Sequence, residues 1–328
     1  MGENLIAFDI GESQVKLIWY TGKTCKKAVC AALPDNLVAN GEIISMDAMA
    51  DFLKETAKQN GIPRANAAVI LPESLVFTRN VEVPAMTDAQ LAYNLPYEFK
   101  DYLNQEKTDY FFDYAVQELV EGDENEAKQM KLFACAALKK TIDDYRDMFR
   151  RAGFRLKSAI PEEAAYAAVL AACPNMDSDT CFVDIGYRGI RMQFFREDSF
   201  VTRRTVNLGV CDLVLSLAEA RSIDTHMAYE HMRSNYENAL NEQSAQNLYR
   251  SMAVEIMKAV NFYNYNNREQ MLNRIYLCGG GAAIEPIRKA IIEMTDMEIH
   301  SSEELLPENA VQDEPWIYTK AVGCALQA

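Results

Sequence analysis

The stretches 6-IAFDIGESQVKLIWY-20 and 181-CFVDIGYRGIRMQFF-195 follow one pattern: an apolar run ending in Asp-Ile-Gly, a short turn, then a strand alternating apolar and polar. Asp184 lies 175 positions after Asp9, and at that offset Gly186 falls on Gly11, Arg191 on Lys16 and Phe194 on Trp19. Around each copy, over 5–32 and 180–207, three β-rich bursts are divided by glycine-bearing or acidic turns, which predicts a three-strand meander in both places. Two meanders of matching order, each followed by helices, are an internal duplication. The predicted class is therefore α/β, with two related halves.

Working outward, Asp47 is placed to cap a helix carrying Met49, Phe52, Leu53 and Ala57 on one face, with Gly61 as its stop before the strand AAVILP. The first unit reads β-β-β-α-β. From Pro72 the texture changes: a strand over 75–83, a helix capped by Thr87 or Asp88 and running through Leu95, and a strand over 110–119. The polar turn EGDENEAKQ, a strand over 130–138 and a helix over 139–153 stopped by Gly153 complete a β-α-β-β-α block. After Pro161 come the helix EEAAYAAVLAA, the second meander, helices over 210–234 and 243–266, the strand RIYLC, a helix from Glu285 and a small-residue helix at the C-terminus. The expected division is one domain from 1–72, 155–177 and 313–328, an inserted α+β subdomain over 73–154, and a second domain over 178–312.

Composition narrows the function classes. In 328 residues, 49% of them apolar, the formal charge is −15. Duplex nucleic-acid binding and polybasic membrane docking both depend on lysine and arginine, so neither is expected. Apolar runs fall short of the ~20 residues of a membrane span, and the N-terminal residues lack the pattern of an export signal, so a cytoplasmic location is expected. The eight cysteines are scattered without CxxC spacing and read as reduced core thiols; with three histidines in all, a zinc site is not expected.

A carboxylate at the end of a buried strand, followed by a glycine turn, creates a concavity lined by backbone N–H groups that suits anions. One such turn is ordinary hairpin chemistry. Two in register, facing each other, would clamp a polyphosphate, and Asp9 and Asp184 would supply the oxygen donors that Mg²⁺ takes together with phosphates. Gly279-Gly280-Gly281, between a strand and a helix, permits close approach of a flat ligand or of another backbone. Glu255 and Lys258 share a helix face; they are either a ligand-facing pair or a solvent-exposed ion pair. Glu162 and Glu163, opening a helix, are the candidate catalytic carboxylates, although acids are common in first turns because they suit the helix dipole.

This order of phosphate turn, second phosphate turn, glycine-rich loop and small-residue final helix resembles the actin, Hsp70 and sugar-kinase superfamily, a duplicated ribonuclease H-like two-domain fold (actin/Hsp70-type). Within it, 9-DIGESQVK-16, the helix 255-EIMKAVNFYNYN-266 leading to YLCGGGA, 321-AVGCALQA-328 and the inserted segments 81-VEVPAMTDAQLAYNLPYEF-99 and 132-LFACAALKKTIDDYRDMFRRAGF-154 are similar to the PilM-type type IV pilus assembly proteins, relatives of the division protein FtsA. The resemblance implies ATP or ADP with Mg²⁺ as the ligand. It implies phosphate contacts from Asp9, Gly11, Glu12, Ser13 and Lys16, and from Asp184, Gly186, Tyr187 and Arg188. Nucleoside contacts would come from Glu255, Lys258, Gly279, Gly280, Gly281 and Ala282, and metal contacts from Asp9 and Asp184. The implied partner is the cytosolic N-terminal peptide of a PilN-type inner-membrane protein, lying in a groove between the first subdomain and the inserted block, with pilus motor ATPases or the platform protein as further contacts.

The second turn departs from the family pattern: Arg188, Gly189 and Ile190 stand where relatives carry Ser or Thr after D-I-G. That loss favours a protein that holds a nucleotide over one that turns it over quickly. Other members of the superfamily remain as alternatives: a small-molecule kinase, an FtsA-like division filament, or a degenerate form that has lost its nucleotide.

Overall fold

The structure, a computed structural model, describes residues 4–22, 24–120, 128–173, 179–268, 271–295, 297–308 and 310–328. Most of the acidic turn after residue 120 lies outside the described residues. The chain divides into two compact units, Met1–Ala168 with Lys320–Ala328, and Val169–Thr319.

In the first unit the chain forms β1 (Asn4–Ile10), β2 (Gln14–Thr21), β3 (Thr24–Ala32), a two-residue hairpin of β4 (Val38–Ala39) and β5 (Glu42–Ile43), α1 (Met46–Gln59) and β6 (Asn66–Leu71). It continues as β7 (Val76–Pro84), α2 (Asp88–Glu98), β8 (Tyr110–Val120), β9 (Gln129–Leu138), α3 (Lys139–Ala152), β10 (Arg155–Pro161) and α4 (Glu162–Ala172), which runs across the boundary between the units. The main sheet has the order β10-β6-β1-β2-β3. Its central strand reads LIAFDI, a nearly unbroken apolar run, because both of its faces are covered.

On one face Ile6 and Phe8 pack with Val15 and Leu17, with Met49 and Leu53 of α1, and with Tyr145 and Phe149 of α3. The ring of Phe8 meets those of Phe149 and Phe154 edge-on, at 4.8 and 5.2 Å. On the other face Ala7, Ala68, Ile70 and Ile160 meet Ala165 of α4 and Cys324 of α9 (Thr319–Gln327). The residues are small on this side because the helices come very close. A Cβ at Gly323 would stand 1.9 Å from the carbonyl oxygen of Ala165.

The inserted block forms its own antiparallel sheet, β7-β9-β8. With α2 it closes around Val81, Leu91, Leu95, Phe99, Tyr110 and Leu132. The helix α2 is capped by Thr87, one of the two residues expected there, in a reciprocal box with Gln90, and continues past Leu95 through Pro96 to Glu98. The block also reaches the core of the main sheet, where α3 buries Tyr145, Met148 and Phe149 beside Val76 of β7 and Ala137 of β9. At α1 the cap is Ser45, whose hydroxyl accepts from the Ala48 N–H, and not the expected Asp47, which lies in the first turn.

The second unit repeats the plan with β11 (Thr180–Ile185), β12 (Ile190–Arg196), β13 (Ser199–Val206), α5 (Val210–Arg221), α6 (Thr225–Ser234), α7 (Gln243–Asn266), β14 (Arg274–Cys278), α8 (Glu285–Glu293) and β15 (Glu298–Ser301). Its sheet order, β13-β12-β11-β14-β15, matches the first sheet strand for strand. In each, an antiparallel meander is followed by two strands added in parallel. The registers coincide as well: Asp9 pairs across from Lys16 and Asp184 across from Arg191. Val183, Ile185, Met192 and Phe194 face Leu213 and Leu217 of α5, Met252 and Ile256 of α7, and Ile287 of α8.

Besides the short β4 and β5, two strands escape the sequence reading, and both are the last added to their sheets. In β10, RLKSAIP holds Arg, Lys, Ser and Pro and carries a register shift between Leu156 and Ser158; β15 is only four residues, EIHS. Edge strands need be neither apolar nor regular, so the pattern that marks an interior strand is missing.

The contact at Gly323 yields a prediction. Gly323→Ala forces α9 away from α4 and lowers stability by about 2–3 kcal/mol, measured as a shifted urea midpoint in circular dichroism. An unchanged midpoint would show that the two helices have room to spare.

Candidate functional site

The first Asp-Ile-Gly turn is built where β1 passes into β2. The Gly11 N–H donates to the Gln14 carbonyl at 3.0 Å and the Leu33 N–H to the Ser13 carbonyl at 2.9 Å, which closes the hairpin and ties it to the end of β3. Asp9 precedes the turn and is only 4% exposed. A buried carboxylate needs compensation, and the register provides it: Lys16, directly across on β2, places its Nζ 3.8 Å from Asp9 Oδ2. A second cation arrives from the far end of the chain. Lys320, in the first turn of α9, has its Nζ 3.6 Å from Asp9 Oδ1 and 3.2 Å from Oε1 of Glu162, the first residue of α4.

Glu162 and Glu163, the candidate catalytic carboxylates, are both buried. Glu162 is bound to Lys320, and Glu163 Oε1 accepts from the Thr78 hydroxyl of β7 at 2.9 Å. Glu12 turns its carboxylate to the Gly41 N–H in the β4–β5 hairpin, at 2.8 Å, so its side chain braces that hairpin. Lys320 was missed by the sequence reading. The signal was present, since it is the one charged residue in the helix 319-TKAVGCALQ-327.

The second turn has the same skeleton. The Gly186 N–H donates to the Gly189 carbonyl at 2.9 Å, and Asp184, 4% exposed, faces Arg191 Nη2 at 3.8 Å from Oδ2. Here a helix end is docked onto the turn. The N–H groups of Val210 and Cys211, opening α5, donate to the carbonyls of Gly186 and Tyr187 at 3.1 and 2.7 Å. A Cβ at Gly209 would lie 2.4 Å from the Tyr187 oxygen, so a glycine is required at that junction. Arg188 is exposed. The neighbouring Cys211 thiol is pushed up to about 11, mainly by burial and further by the charge of Asp212, with Arg188 opposing.

The glycine-rich loop packs on this second turn. Gly279 holds φ +83°, and a Cβ there would stand 2.2 Å from Asp184 Oδ1; at Gly281 it would stand 2.3 Å from the Ile185 side chain. Close approach to another part of the chain, one of the two reasons for three glycines that the sequence allows, is present at Gly279 and Gly281. Gly280–Ala283 form a 3-10 turn, and the Ala282 N–H donates to the Gly279 carbonyl at 3.2 Å. On α7, Lys258 Nζ lies 2.6 Å from Glu255 Oε1 in a partly exposed pair.

The structure thus gathers Asp9, Lys16, Glu162 and the unforeseen Lys320 at the first turn, and Asp184, Gly186, Tyr187, Gly279 and Gly281 at the second. Among the described residues no group of three or more His, Cys, Asp or Glu is placed to hold a metal ion. Each aspartate already has a cationic group within 4 Å, so either one, taken by itself, fits contact with a hydrated magnesium better than with a bare ion.

Gly279→Ala brings a methyl group against the Asp184 carboxylate at a backbone angle that side chains rarely adopt. We expect a loss of about 2–3 kcal/mol in urea unfolding, and a smaller loss for Gly11→Ala, whose methyl would meet the Gln14 carbonyl at 3.0 Å. Equal losses would contradict this account of the loop.

Residues 7–314 match the family model described as type IV pilus assembly protein PilM. None of the curated proteins compared matches the chain. Among solved structures the chain is similar to the PilM-PilN type IV pilus biogenesis complex, with a TM-score of 0.79, 18% identity and 98% of each chain covered. It is similar to the ethanolamine utilization protein EutJ from Carboxydothermus hydrogenoformans, with a TM-score of 0.61, 13% identity, and 99% of this chain and 89% of that one covered. It is also similar to MreB 5 of Spiroplasma citri bound to AMPPNP, with a TM-score of 0.58, 11% identity, and coverage of 99% and 96%. Likeness at such low identity speaks for the fold, which is the actin-like α/β arrangement expected from the duplicated turns. The family match covers most of the sequence: the chain belongs to the type IV pilus assembly protein PilM family.

Proposed function

We propose that the chain is a cytoplasmic, actin-like scaffold of type IV pilus assembly that binds ATP or ADP with magnesium and docks the N-terminal tail of a PilN-type inner-membrane protein. The observation that carries the nucleotide part is the pair of Asp-Ile-Gly turns at equivalent positions of two like-ordered sheets. The solved MreB 5, which shares the fold, is bound to AMPPNP.

In this reading the backbone of Gly11, Glu12 and Ser13 and the ammonium of Lys16 address phosphate oxygens on the first turn, and the turn from Gly186 to Arg188 does so on the second. Gly279 to Ala282, with Glu255 and Lys258, line the nucleoside. Magnesium, when bound with the phosphates, screens their charge. Asp9 and Asp184 would hold it, each beside its basic neighbour across the strand pair. Hydrolysis is slow or absent in this reading: the candidate carboxylates are buried, Glu162 against Lys320 and Glu163 against Thr78, and the second turn lacks the Ser or Thr that relatives carry.

In this reading the partner peptide lies on the first unit, in the groove that the family resemblance implies between its first subdomain and the inserted block. The inserted block exposes Tyr93, Tyr97 and Tyr102, with Lys107 Nζ 3.8 Å from the centre of the Tyr97 ring and Arg79 4.9 Å from that of Tyr102. Exposed aromatic rings with cations on their faces suit a peptide that has apolar and acidic positions. Pilus motor ATPases or the platform protein are further candidates as partners. Among the described residues no helix is long and apolar enough to cross a membrane, which fits recruitment through such a partner.

Two measurements test the proposal. Titration calorimetry with ATP and ADP, in magnesium, should give saturable binding that weakens at least tenfold (about 1.4 kcal/mol) in Asp9→Ala; no heat with the unaltered protein would remove the nucleotide. A PilN-type N-terminal peptide should bind the unaltered protein and lose about 1–2 kcal/mol of affinity to Tyr97→Ala with Tyr102→Ala. Undiminished binding would move the docking site elsewhere.

A further inference from the structure

Lys320 is in an unfavourable place on two counts. It is the second residue of α9, at the helix end where the macrodipole disfavours a cation, and it is 8% exposed. A buried lysine persists only when paired. Its Nζ stands 3.2 Å from Glu162 Oε1 and 3.6 Å from Asp9 Oδ1, joining a carboxylate from the end of β1 to one from the start of α4. The remaining oxygen of Asp9 faces Lys16 at 3.8 Å. Two acids and two ammonium groups therefore balance within one nearly buried cluster.

We propose that Lys320 is a tethered cation standing where a divalent ion would otherwise bridge Asp9 and Glu162. The first turn then takes up no metal of its own and receives one only as the complex of its ligand. Hard divalent cations are held by oxygens from several groups, carboxylates among them, and in this cluster the two carboxylates that come together are joined by an ammonium group. A dication added between them would lie against Nζ, a like charge in a site with little water to screen it. Lys320 acts through the two acids and is a positioning residue. It holds Glu162 away from the role of base and fixes the position of Asp9. That the first turn takes up no metal of its own does not rest on the nucleotide reading, because the cluster lies wholly in the first unit; that a metal arrives with the ligand does rest on it.

The test is calorimetric titration of the nucleotide-free full chain with Mn²⁺, each protein being compared with its Asp9→Asn counterpart so that binding elsewhere on this acidic chain cancels. The unaltered protein and Lys320→Arg should show no component that Asp9→Asn removes. Lys320→Met should gain such a component, with an affinity at least roughly tenfold above the background. Manganese binding by the unaltered protein that Asp9→Asn abolishes would overturn the proposal, as would a Lys320→Met variant, folded by circular dichroism, that gains nothing. Should Lys320→Met fail to fold, the unaltered protein against Asp9→Asn still decides: no difference supports the tethered cation, and a lost site refutes it.

Discussion

A carboxylate buried at the end of a strand is costly unless a cation meets it, and in this chain an antiparallel neighbour brings that cation by register alone. Asp9 faces Lys16 and Asp184 faces Arg191 because the turns between their strands have the same length. A turn longer or shorter by one residue would send the basic side chain to the opposite face of the sheet. The glycines at 11 and 186 follow from the same demand, since each turn closes on a carbonyl 3.0 Å from where a Cβ would be. From these two pairs the rest of each sheet is laid out in the same order.

The halves then diverge in what they pack against the shared turn. The first receives a lysine from a helix of small residues and a glutamate from the helix that this lysine helix crosses. The second receives backbone: the N-terminus of α5 through Gly209, and the loop after β14 through Gly279 and Gly281. One turn is thus surrounded by charge and the other by glycine-mediated contact.

Much of this was legible in the sequence, for identifiable reasons. The duplicated Asp-Ile-Gly, the meanders around it, the Thr87 cap and the Gly153 stop are local patterns whose physics acts within a few residues. What escaped was set by distant partners. β10 and β15 are strands only because β6 and β14 lie beside them. The Glu12 carboxylate, for which the sequence offers no partner, is taken by Gly41. Lys320 lies more than three hundred positions from Asp9, and only the fold puts them together; a lone charge in an apolar helix was the available clue. The glycine triplet was read correctly as a point of close approach, but which surface approached could not be known before β11 and β14 were paired.

The crossing of α9 over α4 has a consequence for how the protein is made. The first unit is discontinuous: Lys320–Ala328 belong to it, and the whole of Val169–Thr319 is synthesised in between. Until α9 emerges, Ala7, Ala68, Ile70 and Ile160 lack part of the cover on one side of the sheet, and Asp9 and Glu162 lack the lysine that joins them. At roughly 5–20 residues per second, the ribosome leaves that half-covered sheet waiting for on the order of ten seconds. The second unit, continuous in sequence, can close its own core during that interval, so the part of the chain made first is the part completed last.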